Sequence, residues 1–300
     1  MKFTLQSVTQ CAGRLGTLSE VERLPGLMME TPMLFLHTKG GVVPHLTFET
    51  LQMITKDHYP LSVSVESSLQ CVHPISKMQK PLAEFIGMKE HLVFCGIHNT
   101  GVPLPHGYNG KLQVSMWTKA GREVMDAERY MDTIEKFQPD IYQTLCDADT
   151  NSDCSKKRLQ KAVDSTYSFF KECMRRHQES KALRNSTLLA SLGGGYNVHL
   201  RGSSAKLLAK VPVKGFVIDG LCANGSAGED LNSENISSLV KESLKYIPVE
   251  SFRMAPGCWR PELVWHLVKL GVDSFDSSLP SVAAARGAAL TFQFDPTTGK

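Results

Sequence analysis

Surplus charge is scarce in this sequence: 33 Lys and Arg stand against 30 Asp and Glu, a formal net of +3. That balance excludes binding through a strongly basic tail alone, although a local basic face stays open, because net charge is silent about distribution. Long apolar runs are missing too. No stretch approaches the roughly 18 uncharged apolar residues of a membrane helix, and the start, Met1-Lys2-Phe3-Thr4-Leu5-Gln6-Ser7, lacks the apolar run of a secretory signal. Close cysteine pairs are absent: the eight cysteines (11, 71, 95, 146, 154, 173, 222 and 258) are never nearer than eight residues, so no Cys-x-x-Cys exists. Scattered this way, they read as reduced thiols in a cytosolic-type compartment rather than as disulfides. None of the ten histidines forms His-x-x-x-His or His-Glu-x-x-His. An isolated one such as His266 reads as packed or half-exposed, so no metal site is expected wholly within the chain. No Gly-x-Gly-x-x-Gly follows an early strand, which lowers a dinucleotide-binding fold.

What is present is alternation. Short apolar runs at Met33–His37, Leu61–Val65, Leu92–Ile97, Asp140–Leu145, Thr187–Leu192, Gly215–Ile218, Ser251–Met254 and Ser274–Ser277 read as strands covered on both faces. Helical stretches lie between them. Lys157–His177 places Leu159, Val163, Tyr167, Phe170 and Met174 on one face, and Ser233–Tyr246 does so with Ile236, Leu239, Val240 and Leu244. A third helix opens with Pro261 and stops at Gly271. Eight strands alternating with helices predict an α/β fold, a (β/α)8 barrel forming a single domain over residues 1–300, rather than an open sheet.

Function in such a barrel collects where strands end. Asp147 and Asp276 each follow an apolar run and would serve as nucleophile, base or base-edge acceptor, or else simply cap a following helix or turn. Gly193-Gly194-Gly195 allows close approach of a ligand, or is a flexible turn; it does not match a phosphate-binding P-loop. The helix after strand four is the most basic element, with Lys156, Lys157, Arg158, Lys161, Lys171, Arg175 and Arg176. It is a solvated charged face or, in the sharper reading, a phosphate-contacting surface.

Several segments together resemble the queuine and guanine tRNA-ribosyltransferases. They are Arg14-Leu15-Gly16-Thr17-Leu18, Glu30-Thr31-Pro32-Met33-Leu34-Phe35-Leu36, Gly40-Gly41-Val42 with Leu46-Thr47-Phe48-Glu49, and Phe85-Ile86-Gly87-Met88. Near the end, Gly271-Val272-Asp273-Ser274-Phe275-Asp276-Ser277-Ser278-Leu279-Pro280 resembles the family's nucleophile segment, with Gly287 and Leu290-Thr291-Phe292 following in matching positions. The resemblance implies a barrel that exchanges a base at the tRNA anticodon wobble position through a covalent Asp–ribose intermediate. By the same resemblance Asp276 takes the nucleophile position, Asp147 the base-binding Asp, and Gly220 the strand-six Gly. A gapless count puts Cys95 where catalytic members have a proton-transfer Asp, and Gly193 where they have a base-binding Gln. Ser281-Val282 stands for the family's Thr-Arg, and a second nearby Arg falls on Ala285 or moves to Arg286.

A thiol substitutes poorly for an ionised carboxylate, and a lost amide leaves a base edge unpaired. One retained Asp does not make a catalyst when its partners act as a unit. The pattern is therefore similar to the family's non-catalytic accessory branch, which implies a heterodimer with a catalytic paralogue, tRNA as the shared partner, and a homodimer as the other assembly. It also implies a cytoplasmic address, extending to the outer mitochondrial surface, with no integral membrane segment. The competing expectations are an active base-exchange enzyme using Asp276 and, outside the family, a barrel hydrolase with Asp147 and Asp276 as an acid–base pair. The family's zinc, held by three Cys and one His, is expected beyond residue 300, as is the last barrel helix, so the chain reads as incomplete at its C-terminus.

Overall fold

The computed structural model describes residues 1–221 and 223–291. Cys222, Phe292 and the terminal Thr297-Thr298-Gly299-Lys300 lie outside the described residues. The chain opens with a three-stranded antiparallel sheet: β1 (Lys2–Val8), β2 (Arg14–Ser19) and β3 (Met29–Thr31). The barrel then begins with β4 (Met33–His37), β5 (Leu61–Ser64) and β6 (Val93–Gly96). A separate hairpin, β7 (Val114–Thr118) with β8 (Gly121–Met125), interrupts it. The barrel continues through β9 (Ile141–Gln143), β10 (Thr187–Leu192), β11 (Gly215–Ile218), β12 (Phe252–Ala255) and β13 (Ser274–Asp276). All neighbours among these eight strands are parallel, and β13 pairs back onto β4 to close the ring. Each apolar run expected to be a strand is a barrel strand, with ends shifted by at most two residues.

Four short helices occupy the early crossovers: α1 (Phe48–Ile54), α2 (Val65–Ser68), α3 (Val72–Met78) and α4 (Leu82–Phe85). Longer ones follow: α5 (Ala127–Phe137), α6 (Lys156–Glu179), α7 (Val198–Leu208), α8 (Ser233–Leu244), α9 (Pro261–Lys269) and a final α10 (Leu279–Ala285). Helix α6 starts where the Ser155 hydroxyl accepts from the Arg158 N–H; it buries Phe169 and Phe170 in the main core and Leu159 and Val163 against Leu200 of α7. Helix α9 starts at Pro261 and is closed beyond its end by Gly271 at φ +92°, where a Cβ would press on the Ala12 carbonyl at 2.9 Å.

The strand pleat sorts side chains into two apolar layers. Phe35, Phe94, Ile141, Leu189, Val217 and Met254 fill the barrel interior, and Leu18 and Val21 join them from the N-terminal sheet. Their alternates, among them Val93, Cys95, Tyr142, Ala190 and Phe216, face the helices. Arg14 of β2 anchors the N-terminal sheet to the barrel floor. Its guanidinium lies 3.1 Å from Asp273 and donates to the Ser251 carbonyl at 3.0 Å.

Two parts were not legible in the sequence. Strands β1 and β8 are largely exposed, and β2, β3 and β7 mix polar residues among their apolar ones, so none stands out as an apolar run. On the outer side of β4, Leu34 is exposed, while Phe275 of β13 is buried beside α9. Both strands border a groove of about 540 Å³ lined by Met33, Leu34, Val264, Val268 and Phe275.

Two glycine-bearing segments quoted above meet in space. Gly41, at φ +86°, lies so near Ile86 that a Cβ there would meet its Cγ2 at 2.5 Å. Gly40-Gly41 and Phe85-Ile86-Gly87-Met88 thus form one packing contact between the first two crossovers.

Candidate functional site

The loops at the C-terminal ends of the strands bring Asp147, Gly193, Gly220 and Asp276 to the same side of the barrel, each held differently. Asp276 is buried at the end of β13. Its Oδ1 accepts from the Thr100 hydroxyl at 2.8 Å and lies 3.6 Å from His37 Nδ1. Its Oδ2 is buried with no hydrogen-bond partner. His37 is itself placed by its neighbour, since its backbone N–H donates to Ser277 Oγ at 3.1 Å.

Asp147 does not face that group. Arg158 clamps its carboxylate with two hydrogen bonds, 2.8 Å to Oδ2 and 2.7 Å to Oδ1, and Asn109 donates to Oδ1 at 2.8 Å. Arg158 also donates to the Asp149 carbonyl at 2.8 Å. The Asp149 carboxylate meets His106 Nδ1 at 2.9 Å and accepts from the Gly107 N–H at 2.9 Å. Asp147 and Asp149 therefore bind the loop around residues 106–109 to the start of α6. A bidentate arginine and an amide leave little of the Asp147 acceptor capacity for any further ligand.

The strand-five and strand-six ends are equally occupied. The Gly220 carbonyl accepts from Thr150 Oγ1 at 3.0 Å and from Arg201 Nη2 at 3.1 Å, and its N–H donates to Asp219 Oδ1 at 2.7 Å. Gly193 offers no side chain, and its N–H donates to Ser204 Oγ at 3.2 Å. Arg201 of α7 is fully buried and donates to the carbonyls of Gly195, Leu192 and Gly220, stitching both loops together. Burial pulls its pKa down to about 10, which leaves it charged at neutral pH. Gln143 of β9 spends its amide on Asp219 Oδ2 at 2.9 Å.

What remains open at the barrel mouth is a cavity of about 40 Å³, lined by Phe94, Gly96, Gln143, Asp219 and Gly220 among others. Neither Asp147 nor Asp276 lines it. That volume suits a few waters, whereas small-molecule sites run to roughly 300–1,000 Å³.

Three sequence expectations are corrected here. Cys95 does not stand at the barrel mouth: it is fully buried among the residues packed against the helices, and burial drives its thiol far above the ordinary range. Phe94 and Gly96 are the β6 residues that line the mouth, with His98 beyond them. The basic helix is not one phosphate-facing stripe. Arg158 is spent on Asp147, Arg175 on Glu172 and Glu179 of its own helix, and Arg176 on Asp132 and Glu135 of α5. Lys156 and Lys157 stay exposed at its start. The acid–base pair imagined for a barrel hydrolase is also broken up, because each aspartate has its own partners and no shared cavity.

Sequence reasoning passed over the pair Glu66 and His98. Glu66 is buried after β5; its two oxygens accept from the backbone N–H groups of Asn99 (2.8 Å) and Trp117 (2.6 Å). His98 Nδ1 lies 3.6 Å from Glu66 Oε1. Burial pulls the imidazole pKa down, but the neighbouring carboxylate outweighs it and raises it above the ordinary value. The first polar residue after a strand was the available signal for both; nothing in the sequence marked Arg201. Among the described residues no group of three or more His, Cys, Asp or Glu side chains gathers to hold a metal. No described helix is long and apolar enough to cross a membrane.

Comparison with known proteins gives the same direction throughout. The family profile described as Queuine tRNA-ribosyltransferase matches residues 9–299. A protein of Aedes aegypti named queuine tRNA-ribosyltransferase accessory subunit 2 is 33% identical over 297 residues, covering 98% of this chain and 70% of the relative. Its namesake in Anopheles gambiae is 36% identical over 302 residues, covering 99% and 70%. That of Ixodes scapularis is 35% identical over 282 residues, covering 93% and 72%.

Proposed function

This chain belongs to the queuine tRNA-ribosyltransferase family, and on that premise we propose that it is the accessory, non-catalytic partner of a catalytic subunit of the same fold. The pair would exchange guanine for queuine at the wobble position of tRNA. One observation carries the reading: the groups at the base-binding positions are consumed internally. Arg158 and Asn109 occupy Asp147 with three hydrogen bonds, Thr150 and Arg201 occupy the Gly220 carbonyl, and Gly193 has no side chain to offer. A purine needs an unspent polar edge and a cavity to enter. Only about 40 Å³ stands open here.

Asp276 remains, with one unpartnered oxygen, but no proton-transfer carboxylate lines the cavity on the β6 side, where Phe94, Gly96 and His98 stand. Its buried carboxylate instead joins the loop after β6 to the end of β13 through Thr100. The experiment is co-purification with the catalytic paralogue, followed by base exchange with and without this chain. Exchange should require the paralogue, rise when this chain is added, and survive Asp276→Asn here. A covalent tRNA adduct on this chain alone, abolished by Asp276→Asn, would establish the enzymatic reading instead. A stable homodimer that refuses the paralogue would remove the heterodimer.

Within the heterodimer, Lys156 and Lys157 are the part of α6 left to touch RNA. Lys156→Glu with Lys157→Glu should weaken tRNA binding and lower the slope of log affinity against log salt by about 0.7–0.9 per lost phosphate contact. Unchanged affinity across a salt series would take α6 out of the RNA surface. Zinc enters none of these steps. The heterodimer would sit in the cytoplasm and at the outer mitochondrial surface, and membrane fractionation of the intact heterodimer checks it.

A further inference from the structure

A second, larger cavity lies outside the barrel mouth. It occupies about 610 Å³ between the loops after β5 and β6, the turn of the β7–β8 hairpin and helix α5, and falls within the usual range for small-molecule sites. His98 lines both this cleft and the small cavity beside it.

Three features of the cleft point to its occupant. On its floor, His98 is nine-tenths buried, with Nδ1 3.6 Å from Glu66 Oε1 and Nε2 without a hydrogen-bond partner; the Trp117 indole N–H is buried without a partner as well. Buried donors rarely go unsatisfied, so two of them on residues that line one cavity indicate an acceptor-bearing guest. One wall is apolar, built by Leu69, Val72, Val102 and Leu104. The rim carries Lys39, Lys119 and Lys136, all exposed and without an ion-pair partner among the described residues. Its acids are largely spent: Glu123 pairs with Arg129 and Asp132 with Arg176.

We infer that this cleft binds a nucleotide unit. A flat heteroaromatic base lies against the apolar wall, with acceptor atoms toward His98 and Trp117 Nε1, and the phosphate sits among the rim lysines. A free anion would not use the apolar wall; an uncharged aromatic would not use the lysines. The unit has two sources, a free nucleotide or an unstacked nucleotide of an RNA strand. Only the second rests on the proposed tRNA role.

The test titrates the intact chain with the four ribonucleoside 5′-monophosphates, a short single-stranded RNA and inorganic phosphate, following tryptophan emission. Saturable change with nucleotide is expected. It should vanish in Trp117→Phe and weaken at least about tenfold in the Lys119→Glu, Lys136→Glu double variant. Both lysines are exposed, so the double variant should melt where the wild type does, which separates lost binding from lost fold. RNA binding much tighter than any mononucleotide assigns the RNA source; equal affinity assigns the free nucleotide. Absence of saturation with every nucleotide and RNA probe up to about 1 mM overturns the inference. So does inorganic phosphate binding as tightly as the nucleotides, or indifference to the lysine changes. Failure here with co-purification intact sinks the cleft alone. Failed co-purification with nucleotide binding intact sinks the accessory reading alone.

Discussion

Replacing Asp273 with Ala should cost about 3–5 kcal/mol of stability, because it strands the buried Arg14 guanidinium and removes the negative charge nearest to that of Arg253. Asp273 is wholly buried at the entry to β13. Arg14 lies 3.1 Å from its Oδ1, and the Arg253 backbone N–H donates to Oδ2 at 2.8 Å. Arg14 and Arg253 are themselves buried, and burial pulls both guanidinium pKa values down, that of Arg253 to about 10. Without the carboxylate, the positive charges face each other across a dry barrel floor. The N-terminal sheet should feel this first, since Arg14 ties β2 to the Ser251 carbonyl and stacks over Phe3 at 5.3 Å. Hydrogen exchange should show β1 to β3 opening before the barrel, and chemical denaturation should give the loss. A cost below about 1 kcal/mol would mean that the ion pair is not what joins sheet to barrel.

The same group sets a pH dependence of a defined sign. Burial raises the Asp273 pKa from 3.8 to about 6, against the opposing pull of Arg14. The folded state thus holds the proton more tightly than the unfolded chain does. Its contribution to stability is full below pH about 4 and is lost as the pH rises through about 6. The stability gap between wild type and Asp273→Asn should therefore be wider at pH 4 than at pH 7. A gap that widens toward pH 7 would contradict the raised pKa.

Arg201→Ala is the second large effect, about 3 kcal/mol or more, which for a chain of this size lowers the melting temperature by roughly 5–10 °C. Two causes add. A large, fully buried side chain leaves a cavity, and the Gly195 carbonyl loses the Arg201 Nε donor that reaches it at 2.8 Å. The Leu192 and Gly220 carbonyls keep other donors, Asp219 N–H and Thr150 Oγ1 respectively, which limits the loss. Arg201→Met fills most of the volume without supplying donors, so it should recover roughly half of the loss. If both variants lose equally, the hydrogen bonds dominate. If neither loses stability, Arg201 does not hold the loops after β10 and β11.

Much of the scaffold was legible because barrel strands announce themselves locally. A strand buried on both faces needs a run of apolar residues whatever lies beside it, and Thr187–Leu192 and Gly215–Ile218 show it without ambiguity. Helix α9 was equally readable from Pro261 and Gly271, since capping is a property of a few adjacent residues. Strand β1 escaped because its only protected positions, Phe3 and Leu5, are half-buried among exposed neighbours.

The site was another matter. The sequence by itself determined the alternation of strand and helix, the resemblance that runs from Arg14 to Leu290, and the presence of Asp147, Gly193, Gly220 and Asp276 at strand ends. It could not say what those residues touch. Tertiary structure alone decided that Arg158 and Asn109 consume Asp147, that Cys95 faces the helices, that α6 spends all three of its arginines on carboxylates, and that Arg201 ties the loops after β10 and β11 together. The physical reason is common to all four. A hydrogen bond or ion pair depends on a few ångströms of separation between residues far apart in the chain, and a one-residue slip in a pleat reverses which side a group faces.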